Sequence, residues 1–470
     1  MSKNKFELDP ERLATTDEEG HRVYLYPEDV AGVWKNRRQL VYWGLIIVYL
    51  VLPWFYINGK PALMVNIAKR EFTFFGSTLY GVEPILFFLL LISGLFFIGF
   101  LTSVFGRVWC GWACPQTVFI QSIFLKIEAW IEGKARQREK LDQDPLTFEK
   151  IWKKLLKWTI YTAISLHIAH TFMGYFIGPR ELFWITMGSP FDHFGIFTAV
   201  MIFTTIILLD FGWFREQFCI IACPYGRIQS VMMDENSLVV AYDAKRGEPR
   251  RGLVDRSQEG DCVNCYNCVK VCPTGIDIRR GTQLECIACT QCIDACDDIM
   301  ERINKPKGLI RYTSENALKG IKTKLIRPRS VLYVVLGLIF ISSFFYFLQA
   351  SSNLQAVFIR SKGAPFNAIE EAGVVQQVTN VFTVKLKHQG SQEFHIDFKH
   401  NDPTLEGKVD FLTSARPIKL ERAEMQTVLI IKFSPDILVA GGKTIKIDFY
   451  DRITNSVVAT KEVSLVGPIH

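Results

Sequence analysis

The sequence is poor in charge for its length: Asp, Glu, Lys and Arg make up 21% of 470 residues, and the net charge is only +7. That balance excludes the strongly basic surface of a nucleic-acid binder, and no basic stripe with interleaved aromatics is present. A small excess of this kind is what loops carry when they hold a membrane protein in one orientation. Neither a Rossmann fingerprint nor a P-loop occurs, so no nucleotide or dinucleotide site is supported. Cysteine is absent before Cys110 and after Cys296. The opening stretch "MSKNKFELDPERLATTDEEG" is charged and lacks an early apolar core, which argues against a signal peptide and predicts a cytoplasmic start.

Apolar residues, by contrast, make up 49% of the chain, and mean hydropathy is positive. The length is too great for one compact core, so several domains and membrane residence are expected. Apolar stretches of about 20 residues, long enough to span a bilayer, fall at 40–57, 82–105, 156–177, 194–213 and 330–349. Basic residues crowd one side of these five spans: Lys35, Arg37 and Arg38, then the loop from Lys134 to Lys157, then Lys322 to Arg329. The N-terminus and the cysteine-rich segment are therefore expected in the cytoplasm, and everything after Gln349 outside.

Five segments follow: a cytoplasmic N-terminal segment (1–38), a four-helix transmembrane region (39–237), a cytoplasmic cysteine-rich domain (238–329), a fifth transmembrane helix (330–350) and an outer domain (351–470). The third is polar, carries the turn signals "RGEPRRG" and "CPTG", and has too few large apolar residues for a conventional core. Metal would have to staple it. The last alternates β-branched and polar residues, as in "VFTVKLKH", "EFHIDFKH" and "KTIKIDFY", which predicts a small β-sandwich.

All twelve cysteines sit in tight groups, a pattern of metal ligation rather than of scattered disulfides. Cys262, Cys265, Cys268 and Cys272, followed by Pro273, are repeated in spacing by Cys286, Cys289, Cys292 and Cys296, where Asp297 replaces the proline. A turn that presents a thiolate every third residue wraps three corners of a cubane, and in two-cluster ferredoxins the fourth ligand is exchanged. One [4Fe-4S] cluster is then expected on Cys262, Cys265, Cys268 and Cys296, the other on Cys286, Cys289, Cys292 and Cys272. Paired zinc sites are the alternative, which this spacing suits poorly.

Two further pairs follow apolar runs: Cys110 and Cys114 in "RVWCGWACPQTVF", and Cys219 and Cys223 in "REQFCIIACPYGRIQ". Pro115 and Pro224 suit a first helical turn, so each motif is expected to straddle a helix break at the membrane surface. A cysteine at a helix N-terminus near Arg107 or Arg215 would have a lowered pKa. If the two segments are a pseudo-repeat, the four sulfurs converge on one site that holds copper(I), holds another iron-sulfur centre, or cycles between dithiol and disulfide. Packing as small buried residues is the alternative.

His167, His170 and His193 lie at membrane depth, where ionisable groups are costly. His170 and His193 are candidate ligands for copper or haem, with hydrogen-bonded structural roles as the alternative. His388, His395 and His400 read as strand or loop residues.

The chain resembles the cytochrome c oxidase accessory proteins called CcoG, FixG or RdxA. The resemblance runs nearly end to end, through "NGKPALMVNIAKREFTFFG", both C-x-x-x-C-P motifs, "YDAKRGEPRRG", the eight-cysteine run and "KGLIRYTSE". It implies a membrane polyferredoxin that reduces Cu(II) to Cu(I) during assembly of a cbb-type haem-copper oxidase and passes the ion to copper chaperones. It implies cluster ligation by the eight cysteines, metal or electron handling by Cys110, Cys114, Cys219 and Cys223, and an immunoglobulin-like outer domain. Expected partners are copper ions, copper chaperones, oxidase assembly factors, membrane lipid and an electron donor that the sequence does not name; a homodimer is compatible with it. Rival functions are electron supply to a periplasmic reductase and a non-catalytic assembly scaffold.

Overall fold

The computed structural model describes residues 15–16, 19, 21–57, 59–67, 71–75, 77–80, 84–252, 255–350, 354–361, 363–371, 374–388, 394–420 and 424–468. Most of the charged opening stretch lies outside these residues. The chain forms two compact units, one from Met1–Phe55 and Phe87–Ser343, the other from Tyr56–Leu86 and Phe344–His470.

Among the described residues, three helices are long and apolar enough to cross a membrane: Ile85–Phe105, Phe194–Phe214 and Pro328–Phe347. Only 22%, 17% and 11% of their apolar windows are buried, so their side chains face outward, as contact with lipid requires. The other two expected stretches are also helical, within Val33–Val51 and Phe148–Ile177, but both open with basic turns and neither is apolar along its whole length. The first helix stops at Val51 instead of running on to residue 57. A short turn, Leu52–Trp54, carries Pro53, and strand Tyr56–Ile57 follows; proline has no N–H to continue the helical ladder.

Two features escaped the sequence reading. Short strands Leu63–Asn66, Glu71–Phe74 and Ser77–Tyr80, which in chain order follow helix Val33–Val51 and precede helix Ile85–Phe105, form an antiparallel sheet. Helix Pro179–Met187 follows Gly178, whose φ of +100° suits glycine, and places Pro179 in its first turn.

In the second unit, two antiparallel sheets share one apolar core. The first sheet runs Val409–Thr413, Glu424–Phe433, Val374–His388, Leu354–Arg360, with Asn367–Glu371 also paired to Val374–His388. The second runs Ile418–Leu420, Phe394–His400, Gly442–Asp451, Ser456–Val466. Alternate residues point inward, so Val384, Leu429, Ile431, Ile447 and Phe449 are all buried. The Phe449 ring lies 5.1 Å from that of Phe398 and 5.8 Å from that of Phe358. Phe449→Ala is expected to destabilise this unit by about 3–5 kcal/mol, read by calorimetry of the whole solubilised protein; an unmoved transition would mean that this ring does not anchor the core.

Candidate iron-sulfur and thiol site

Both cysteine runs bend by the same backbone device. Asn264 and Tyr266, on either side of Cys265, have φ of +56° and +57°, and Ala288 and Thr290, on either side of Cys289, have +51° and +62°. Left-handed backbone costs an L-residue about 1–2 kcal/mol, so its recurrence at matching places points to a demand made by the site. Such turns aim N–H groups at a concave side suited to anionic sulfur. The N–H groups of Ala288 and Gln291 hydrogen-bond the sulfurs of Cys286 and Cys289. Each run then enters a helix, Asn267–Lys270 or Gln291–Arg302, and strands Val239–Tyr242 and Ile310–Thr313 pair to close the segment.

Two cavities lie among the eight sulfurs. One, of about 350 Å³, is lined by Cys268, Cys272, Cys286, Cys289 and Cys292. The other, of about 370 Å³, is lined by Cys262, Cys265, Cys268 and Cys296. Cys272 thus faces the space of the second run and Cys296 that of the first, an arrangement compatible with crossed ligation, while Cys268 borders both. Helix Gln291–Arg302 divides its cysteines, Cys292 lining one space and Cys296 the other. All twelve cysteines are free. Thiolates spread around a cavity suit a polynuclear cluster. Burial pushes the Cys286 thiol up to about 11 and those of Cys272 and Cys296 up to about 12, so cluster assembly here has to displace protons.

The paired motifs share their second half, an extended cysteine capping a helix that opens with proline, and differ in their first, which is α-helical in one and π-helical in the other. Cys110 lies in the turn Val108–Trp112, and Cys114 caps Pro115–Phe119; Cys219 lies in the π-turn Phe218–Ala222, and Cys223 caps Pro224–Met232. Both prolines occupy first turns, as expected. The four thiols lie near enough to act on one another electrostatically. Their acidity departs from expectation. Burial, reinforced by neighbouring Cys114, pushes Cys110 up to about 12 against a smaller downward pull from Arg107, and burial also raises Cys114 and Cys219. Arg215 is engaged elsewhere, 3.0 Å from Glu128.

This thiol group abuts the Cys286–Cys292 segment. Cys110 packs on Ile287 and Cys289, with Cys219 and Tyr225 against them. A Cβ on Gly111 would stand 2.5 Å from the Ala288 carbonyl oxygen and 2.6 Å from that of Ile287, so only glycine permits the approach. Arg107 donates to the Leu284 and Cys286 carbonyls, the latter at 3.2 Å, and to Gly226 O at 3.4 Å. Cys110 donates to Gln229 Oε1 at 3.4 Å. Arg38, read from sequence only as an orienting charge, is buried and donates to the Cys289 carbonyl. Tyr42 OH donates to the Gly111 carbonyl. Sequence carried no signal for Tyr42 or Gln229; Gly111 lay inside the quoted motif without an assigned role.

The membrane histidines collect elsewhere. His167, His170 and His193 line a groove of about 1010 Å³ that contains no cysteine, and His170 Nε2 bonds Thr186 Oγ1 at 2.9 Å. His388, His395 and His400 fall in strands.

Comparison with known proteins agrees with this geometry. A family described as a 4Fe-4S dicluster domain matches residues 214–315, and one described as a 4Fe-4S binding domain matches residues 86–136. Protein RdxA of Cereibacter sphaeroides is 39% identical over 67% of this chain and 70% of its own length. Protein RdxB of the same organism is 38% identical over 67% of this chain and 69% of its own. The nitrogen fixation protein FixG of Rhizobium meliloti is 37% identical over 62% of this chain and 57% of its own.

Proposed function

Because the chain belongs to the RdxA and FixG family of ferredoxin-type membrane proteins, we propose that it reduces Cu(II) to Cu(I) at its four converging thiols, for assembly of a cbb-type haem-copper cytochrome c oxidase. The observation that carries this reading is the packing of Cys110 against Ile287 and Cys289, which joins a soft-ligand site to an iron-sulfur cage. The clusters supply one-electron carriers. Each cupric ion takes one electron, given to the clusters by a cytosolic donor. The chain's own residues do the rest: eight cysteines hold the carriers, buried carbonyl and apolar neighbours exclude water, and the four membrane-edge thiols retain the softer Cu(I). Copper chaperones and oxidase assembly factors are the proposed recipients.

Five spans, with the cysteine-rich segment cytoplasmic and an immunoglobulin-like sandwich outside, complete the proposal; the basic residues on one side support that orientation. His170 and His193 are proposed as outer ligands that take copper onward. A second reading is favoured by the two iron-sulfur family matches, which cover Cys110, Cys114, Cys219 and Cys223: these thiols hold a third iron-sulfur centre in an electron relay. Cys110→Ser and Cys223→Ser are each expected to abolish cupric reduction while leaving both cubane EPR signals. Undiminished reduction would remove the thiols from the reaction, and loss of a third EPR signal would favour the second reading.

A further inference from the structure

We infer that the cluster held by Cys272, Cys286, Cys289 and Cys292 passes electrons one at a time to an iron-sulfur centre held by the thiolates of Cys110, Cys114, Cys219 and Cys223, the cluster being oxidised as that centre is reduced, that Arg107 positions the two sites against each other, and that electrons enter at the other cluster. This inference rests on the electron-relay reading above, but not on copper as the acceptor.

The two cages face different surroundings. The 286–292 loop is pressed onto the membrane-edge motif through Gly111, whose backbone leaves no room for a side chain beneath the Ile287 and Ala288 carbonyls. Cys110 and Cys289 belong to one packed group. In the other cage Cys265 is exposed, and it is the one cysteine of the twelve that is. A soluble donor can approach that edge, and the thiol pairs can approach the opposite one.

Arg107 sits at the junction, 5% exposed. Its guanidinium bonds carbonyls of Leu284 and Cys286 on one side and of Gly226, three residues after Cys223, on the other. Its Nε–H is buried with no partner. A guanidinium held this way does two things. It clamps the cage loop to both thiol motifs, being itself three residues before Cys110. It also places a positive charge beside one cluster, where Coulomb attraction favours the reduced state and falls off with distance to the other. Its forked, rigid donor set explains why a lysine would restore the charge but not the clamp.

Redox-titrated EPR of the full-length solubilised protein tests the inference. Cys265→Ser and Cys286→Ser first assign the two signals to their cages. Arg107→Gln is then expected to lower the midpoint potential of the cluster whose signal Cys286→Ser removes and to leave the other in place; Arg107→Lys returns it toward wild type. A shift of the Cys265-assigned signal, equal shifts of both, or no shift would each overturn the assignment. Gly111→Ala supplies a second variant in case Arg107→Gln does not accumulate: both cluster potentials are expected to match wild type, whereas, when fully oxidised protein is mixed with dithionite, freeze-quench EPR is expected to show reduction of the thiolate-held centre lagging that of the two cubanes at least tenfold more than in wild type, and an unchanged lag would overturn the contact. No copper enters either measurement. Failure of cupric reduction in wild-type protein therefore sinks the copper reading alone.

Discussion

Cys286→Ser and Cys272→Ser are each expected to lose one cubane's worth of iron and acid-labile sulfide, about four of each per chain, and to keep the same surviving cubane EPR signal. Cys262→Ser and Cys296→Ser form the complementary set, sharing the other signal. Ligation in chain order would give different partners, because Cys272 lies in the run with Cys262 and Cys296 in the run with Cys286. The crossed sets expected from the spacing are supported by the two cavities, one lined by Cys272 with Cys286, Cys289 and Cys292, the other by Cys296 with Cys262 and Cys265, with Cys268 bordering both. A thiolate replaced by a hydroxyl loses a soft, charged ligand, and a cluster short of one corner is not retained as a cubane. Metal and sulfide analysis after anaerobic purification gives the stoichiometry, and EPR gives the grouping. If Cys272→Ser and Cys262→Ser shared a surviving signal, ligation would follow the chain order and the crossed arrangement would be wrong.

The cage was legible in the sequence because iron-sulfur ligation imposes a spacing on consecutive residues, and spacing is what a sequence displays directly. The prolines after Cys114 and Cys223 likewise forecast helix starts, since a missing N–H is tolerated at a first turn. The apolar runs forecast five spans, and three of them are helices of membrane length and apolarity among the described residues. What stayed hidden depends on contacts between distant segments. Arg38, Arg138 and Lys157 all read as cytoplasmic positive charge, yet Arg38 is buried on the Cys289 carbonyl, and Arg138 and Lys157 are buried on Glu128. The lowered pKa inferred for a cysteine near Arg107 failed for the same reason: Arg107 is present beside Cys110, but desolvation dominates and raises the thiol. Short strands such as Glu71–Phe74 were hidden because four alternating residues give too little periodicity to separate from a loop.

The largest effect on stability is expected from Glu128→Gln, at a residue no sequence pattern singles out. Glu128 is buried and meets three cations: Arg138 at 3.0 Å, Lys157 at 3.2 Å and Arg215 at 3.0 Å, each side chain at most 7% exposed. Burial alone would raise its pKa, but Arg215, Lys157 and Arg138 outweigh it and hold the carboxyl near about 2, against an ordinary 4.5. The sign follows directly: a folded pKa below the unfolded one adds stability above about 4.5, and that stability drains away as pH falls toward about 2. Removing the charge strands buried cations, which costs about 3–5 kcal/mol. The consequence reaches the thiol site, because Arg215, with its φ of +52°, fixes the turn that leads into Cys219. Thermal unfolding at neutral pH should therefore fall sharply in Glu128→Gln, and its difference from wild type should shrink on acidification. Glu149→Gln, at an exposed pair with Lys153, should leave the transition where it was. Equal behaviour of the two variants would show that the buried network adds nothing to the fold beyond what surface pairs add.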